Sequence, residues 1–146
     1  MHTVSNKHTL VYIDDDEDDL LMVQQAFSTY QQSIEVRTFN SGKDGYSYLL
    51  SLEQRGSKPC LVLLDLNMPA MSGRELLPIL RAIPFFEDVP VVLFTTSSSQ
   101  HDYRFALQYD AGFLTKPMTF QQMDVIADQF LSYCTPSVKE HIRKEV

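Results

Sequence analysis

Leu61-Val62-Leu63-Leu64 is an unbroken apolar run that leads into a lone carboxylate, Asp65, and then to the turn signal Met68-Pro69. A short apolar run bounded by turn residues predicts a strand buried on both faces, as in a parallel sheet. Leu10 to Ile13 and Val89 to Phe94 carry the same signature. Ile34 to Phe39 alternates loosely with β-branched residues and predicts a second strand, and Phe113-Leu114-Thr115 predicts a short last one. Between them the period changes. Leu20, Val23, Phe27 and Tyr30 recur at helical spacing after an acidic run, and acid suits the positive end of a helix dipole. Ser41 with Asp44 resembles a capping box for a helix through Leu52, followed by a loop from Gln54 to Pro59. Ser72-Gly73-Arg74-Glu75 opens a third helix carrying Leu76, Leu77, Ile79 and Leu80, with Pro78 inside it as an expected kink. A fourth helix is predicted over Gln100 to Tyr109. Thr119 caps a fifth with Phe120, Met123, Ile126, Ala127 and Phe130 at core spacing. Five strands alternating with five helices predict an α/β fold, a doubly wound parallel sheet with helices on both faces.

Length and composition narrow this reading. A chain of 146 residues, 44% hydrophobic and 21% charged, predicts one ordinary globular domain. Its boundaries are expected at 10–133, with an N-terminal extension at 1–9 and an exposed polar tail at 134–146. A net charge of -7 argues against nucleic acid or an anionic membrane as partner. No apolar stretch approaches the roughly 20 residues of a membrane span. Met1 to Thr9 lacks the apolar core of a secretory leader, so a cytoplasmic location is expected. Cys60 and Cys134 show no metal spacing and read as reduced thiols.

The chemistry lies where the predicted strands end. The first delivers Asp14 and Asp15, the third Asp65, the fourth Thr95 and the fifth Lys116. In open α/β sheets ligands bind at the carboxyl ends of the strands. Three crowded carboxylates resist ionisation unless compensated, and one lysine does not balance three. A hard dication does, and Mg²⁺ fits better than Ca²⁺ because it takes one or two carboxylates and keeps water or phosphate oxygens. With Mg²⁺ and Lys116 the charges cancel and a phosphoryl group is admitted. Aspartate is a known phosphoryl acceptor, and Thr95 and Lys116 would bind oxygens of the group transferred.

These residues together resemble the receiver domain of two-component response regulators: Asp14-Asp15, Asp65 in Asp-Leu-Asn-Met-Pro, Gly73, Thr95 followed by Thr96-Ser97, and Lys116-Pro117. The likeness spans about Leu10 to Leu131. It implies a flavodoxin-like (βα)5 sandwich with strand order 2-1-3-4-5. It implies that Asp65 accepts phosphate from a sensor histidine kinase or a histidine phosphotransfer protein. Asp15, Asp65 and the main-chain carbonyl of Asn67 would hold Mg²⁺, Asp14 acting through water. Thr95 and Phe113 would form the switch, and the peptide before Pro117 would be cis. A receiver of this kind is a phosphoacceptor, not an enzyme, and its signal would leave through a protein-binding face. That face is expected from Arg104, Leu107, Gln108 and Phe113 with the fifth helix. The segment from Thr95 to Lys116 is one residue shorter than usual, at Asp110-Ala111-Gly112.

Other readings of the same residues are weaker. Asp14, Asp16 and Asp18 imitate a calcium loop, but Asp19 replaces its glycine and Gln25 its closing glutamate. Asp16 to Asp19 read as helix cap and surface. Met68 and Met71 read as loop packing, and His101, Tyr103 and Arg104 as an exposed helix face. The alternative function is a Mg²⁺-dependent phosphatase working through an aspartyl-phosphate. Such enzymes want a second aspartate two residues after the nucleophile, where Asn67 stands.

Overall fold

The structure, a computed structural model, describes residues 7–117 and 125–144. Its five strands are β1 (His8–Ile13), β2 (Ile34–Phe39), β3 (Leu61–Leu64), β4 (Val91–Thr95) and β5 (Gly112–Thr115). They form one parallel sheet in the order 2-1-3-4-5. The helices are α1 (Glu17–Ala26), α2 (Gly42–Arg55), α3 (Gly73–Arg81), α4 (Gln100–Gln108), α5 (Ile126–Leu131) and α6 (Pro136–His141). Every residue of β3 and β4 is buried, whereas the edge strands β2 and β5 are only partly covered. This is the gradient expected when helices cover both faces of a sheet.

Alternate residues of each central strand face opposite sides, since successive strand side chains point apart. Leu10, Tyr12, Leu61, Leu63, Val92 and Phe94 pack with Leu20 and Val23 of α1 and Ile126, Ala127 and Phe130 of α5. Val11, Ile13, Val62, Leu64, Val91 and Leu93 pack with Leu49 and Leu52 of α2, Leu76, Leu77 and Leu80 of α3, and Ala106 of α4. Two apolar layers thus grip the sheet. The register pairs Ile13 with Leu64 and Leu64 with Leu93, so the strands run out side by side. Asp14 and Asp65 follow immediately.

Several boundaries differ from the sequence reading, each for a local reason. β1 begins at His8, two residues inside the expected extension, because the His8 N–H bonds to Ser33 and the ladder starts there. β4 begins at Val91, since Pro90 has no N–H to give a ladder. α1 ends at Ala26, and Tyr30 lies in a separate 3₁₀ turn over Ser28–Tyr30. α2 runs on to Arg55, where Gly56 adopts φ 67°. The N–H groups of Gly56 and Ser57 bond to the carbonyls of Glu53 and Leu52, the double closure of a Schellman motif. α3 continues through Pro78 to Arg81. The tail is not simply an exposed extension: Val138 and Ile142 pack against the core and the Arg143 N–H bonds to Ser33 Oγ at 2.9 Å. Two apolar side chains at helical spacing suffice to dock it. Thr119, Phe120 and Met123 lie outside the described residues.

One contact ties the fold to its edge. The Gly73 N–H donates to the Asp65 carbonyl at 2.7 Å, and a Cβ on Gly73 would lie 2.7 Å from that same oxygen. Any side chain there forces α3 away from the end of β3. Gly73→Ala is expected to lower stability by about 1–3 kcal/mol, the usual cost of overpacking a tight contact, and urea unfolding measures it.

Candidate functional site

Asp14 is held more tightly than any other acid at the sheet's carboxyl edge. It is fully buried, and it accepts from the Tyr12 hydroxyl at 2.6 Å, the Asp16 N–H at 2.9 Å and Lys116 Nζ at 2.7 Å. Tyr12 can reach it because residues two apart on a strand share a face. Burial, with the charges of Asp14, Asp19 and Asp65, pushes the Tyr12 phenol far above its ordinary range, so it stays a donor. Asp15, one residue on, is exposed.

Asp65 is buried and poorly served. Its Oδ1 accepts from the Asn67 N–H at 3.3 Å, and Lys116 Nζ stands 3.7 Å from its Oδ2, beyond hydrogen-bond distance. Burial and the charge of Asp14 push its carboxyl up to about 6, against the opposing pull of Lys116. One oxygen from each of Asp14, Asp15 and Asp65 falls within a 4.8 Å span. Opposite ligands of a Mg²⁺ ion are about 4.2 Å apart, so small adjustments close these carboxylates on one dication. Their excess negative charge gives that ion its attraction. The donor set, all oxygen, fits a hard divalent metal.

Lys116 is the counterion of the group. Its Nζ bonds Asp14 and Asp19 at 2.7 Å each. Burial disfavours its charge, but the bonds to these two carboxylates outweigh it and raise its pKa. An ammonium has three N–H donors. Two are committed, and the third is free to face Asp65. The Lys116 N–H donates to the Thr95 carbonyl at 2.7 Å, which fixes where the side chain starts. Among the described residues no peptide bond is cis, so Lys116–Pro117 is trans, contrary to the expectation drawn from the resemblance. The trans form is the lower in energy for X–Pro bonds, and here it already brings the ammonium to the acids.

The remaining expected residues divide. Thr95 is fully buried, its Oγ1 accepting from the Ser97 N–H at 3.2 Å. Phe113 is half-buried and meets Tyr103 of α4 edge-on at 6.0 Å. Arg104, Leu107 and Gln108 are exposed on α4, Leu107 by 60%. Met68 and Met71 pack at the edge of the core, as loop residues should. Asp16 caps α1 by accepting from the Asp19 N–H. Asp19 is no mere surface acid, however. It was masked by the acidic run, and only the fold brings it to Lys116. Tyr12 was masked by reading as core. Arg74 and Asp102 were missed as well: Arg74 bonds Asp102 at 2.7 Å and reaches Asn67 Oδ1 at 3.4 Å.

Comparison with known proteins agrees with this geometry. Residues 10–128 match the response regulator receiver domain. A probable methanogenesis regulatory protein, FilR2 of Methanothrix harundinacea, is 28% identical over 126 residues, covering 85% of this chain and 81% of its own. The crystal structure of the phosphorylated cyanobacterial phytochrome response regulator RcpA superposes with a TM-score of 0.76 at 28% identity, over 88% of this chain and 97% of that one. The Mn²⁺-bound form of response regulator Rcp1 does so with a TM-score of 0.75 at 27% identity, over 88% and 97%. No described helix is long and apolar enough to cross a membrane. A five-stranded parallel sheet that gathers two acids, a third acid, a threonine and a lysine at one edge, over a match spanning most of the chain, places this protein in the response regulator receiver domain family.

Proposed function

We propose that this protein is a phosphorylation-controlled receiver in which Asp65 accepts a phosphoryl group. The donor would be a phosphohistidine on a sensor histidine kinase or a histidine phosphotransfer protein. The single observation that carries the reading is the unequal treatment of the acids. Among the described residues Asp14 has three strong donors, while Asp65 is left with one long hydrogen bond and an ammonium 3.7 Å away. An under-solvated carboxylate beside a free N–H of Lys116 is suited to attack phosphorus and to have the new phosphoryl oxygen received. In the step, a carboxylate oxygen of Asp65 bonds to phosphorus, the bond from phosphorus to the donor's nitrogen breaks, and the imidazole leaves with its electron pair.

Asp15, Asp65 and the Asn67 main-chain carbonyl would hold Mg²⁺, with Asp14 acting through water. That ion supplies the charge compensation that lets an anionic phosphoryl donor approach three carboxylates. Thr95 would donate its hydroxyl to the bound group. Output would pass through Phe113 and the exposed α4 residues Arg104, Leu107 and Gln108, with the fifth helix, to a protein target. The domain expected over 10–133 would be extended by His8 and Thr9 of β1 and by the docked α6, and it would lie in the cytoplasm. Asn67 offers no second carboxylic acid, and its Oδ1 already accepts from Arg74, so no observation favours the phosphatase alternative.

Incubation of the full chain with acetyl phosphate and Mg²⁺ is expected to add the mass of one phosphoryl group. The adduct should be absent in Asp65→Asn and in wild type with excess chelator; an adduct that survives the substitution counts against Asp65.

A stability consequence follows from the same crowding. A carboxyl whose folded pKa is raised to about 6 stabilises the fold fully below its unfolded value near 4, and that contribution is lost as pH rises through 6. At pH 7 without metal, ionised Asp65 is therefore a net cost. Asp65→Asn is expected to raise stability by about 1–3 kcal/mol there, and saturating Mg²⁺ should erase or invert the difference. Thermal unfolding of both proteins with and without Mg²⁺ measures this.

A further inference from the structure

Arg74 and Asp102 form an ion pair that the phosphoacceptor reading does not use. Arg74 lies in the first turn of α3, where the helix dipole disfavours a cation. It is held there by Asp102, in the first turn of α4, with Nη1 2.7 Å from Oδ1. Asp102 is only 4% exposed, and its carboxyl is drawn down to about 2, chiefly by the bond from Arg74. Both of its oxygens are engaged, because Ser97 Oγ donates to Oδ2 at 2.5 Å.

What the pair reaches is telling. On one side Arg74 Nη2 stands 3.4 Å from Asn67 Oδ1, two residues past Asp65. On the other, Ser97 is two residues past Thr95, and its N–H is accepted by Thr95 Oγ1 at 3.2 Å. The Ser99 N–H bonds Ser97 Oγ at 3.2 Å, and the Asp102 N–H returns to Ser99 Oγ at 3.1 Å, which closes the loop onto the α4 cap. A continuous polar chain therefore runs Asn67, Arg74, Asp102, Ser97, Thr95. It joins the loop after the acceptor aspartate to the hydroxyl meant for the phosphoryl group. An ion pair whose carboxylate is buried is a poor way merely to glue two helices, since apolar residues do that as well. What it adds is a fixed register.

We propose that Arg74 and Asp102 are positioning residues: a clasp that keeps the Thr95 hydroxyl committed to Ser97, so that phosphoryl capture by Asp65 is coupled to release of the loop leading into α4. The inference rests on the phosphoacceptor reading. Thr95 cannot turn its oxygen toward a phosphoryl group unless the Ser97 N–H follows or loses its acceptor. Ser97 cannot follow while its own hydroxyl is tied to Asp102. The clasp thus biases a two-state element at the base of the α4 face, and its removal shifts the population toward the released arrangement.

The test uses the full chain with acetyl phosphate and Mg²⁺, following phosphorylation by intact mass and the amides of residues 95–105 by NMR. Variants are Arg74→Gln, Asp102→Asn and the conservative Arg74→Lys. Arg74→Gln and Asp102→Asn are expected to be phosphorylated about threefold faster or more, as loss of a charge-assisted hydrogen bond predicts. Their amide shifts, without phosphate, should move toward those of phosphorylated wild type. Arg74→Lys, which keeps the ion pair, should stay near wild type. Because the Arg74 side chain is 39% exposed, Arg74→Gln leaves the test open even where Asp102→Asn fails to fold. Rates equal to or below wild type in folded Arg74→Gln, or a loss of stability with unmoved amides, overturn the clasp. A wild type that takes up no phosphoryl group sinks the phosphoacceptor reading and the clasp with it, whereas a phosphorylated wild type with unaffected variants sinks the clasp alone.

Discussion

One ammonium shared among acids governs the carboxyl edge of this protein. Lys116 must bridge from an edge strand toward β1, because the strand order places β4 and β3 between them. Its long stem crosses near the ring of Phe94, with Nζ 5.8 Å from the ring centroid, before the charge arrives between Asp14 and Asp19. An aromatic face is a favourable surface for a cation in transit. No shorter basic side chain would span that gap. The site therefore depends on the sheet order, on the apolar end of β4 and on the depth of Asp14, all at once.

The loop before β5, which aims Lys116, is held in place by one side chain. Asp110 takes a left-handed φ of 53°, uncommon for a residue with a side chain. The strain is met from below by Arg81, the last residue of α3. Its guanidinium donates to the carbonyls of Tyr109 and Asp110 and to those of Phe86 and Val89. Carbonyls left over at the end of α4 and in the turn before β4 are thus satisfied by one side chain. Burial lowers the Arg81 pKa without removing its charge, so this staple persists.

How far the sequence revealed all this depended on whether a residue's role was local. Leu61 to Leu64 announced a central strand because burial on both faces permits no polar residue, and Asp65 stood out against that run. Asp14, Thr95 and Lys116 were found by position, each at the end of an apolar strand. Roles set by distant contacts left no such trace. Asp19 was hidden within a row of acids of which Asp15 to Asp18 face water. Arg74 and Asp102 are separated by 28 residues and belong to no motif, so only the folded chain pairs them. The end of α2 was placed at Leu52, short of Arg55, because its closure depends on Leu52 and Glu53 turning their carbonyls to the N–H groups of Ser57 and Gly56. The tail misled for the opposite reason: Val138 and Ile142 are too few to mark a docked helix by pattern.

The two polar systems, one around Lys116 and one around Asp102, share a design that bears on how a receiver moves between states. In each, a buried carboxylate is saturated with donors, and a neighbour has fewer among the described residues. Asp14 absorbs Tyr12, the Asp16 N–H and Lys116, and among the described residues Asp65 has only the long bond from the Asn67 N–H. Asp102 absorbs Arg74 and Ser97, and among the described residues Thr95 has only the bond that its oxygen accepts from the Ser97 N–H. Groups fully satisfied by neighbours resist displacement, because removing one partner leaves a buried charge exposed to its full desolvation cost. Groups left short respond to whatever arrives. On the proposed function, saturated anchors beside less saturated neighbours would let an added charge at Asp65 reorganise Thr95 without loosening the sheet edge that holds them both.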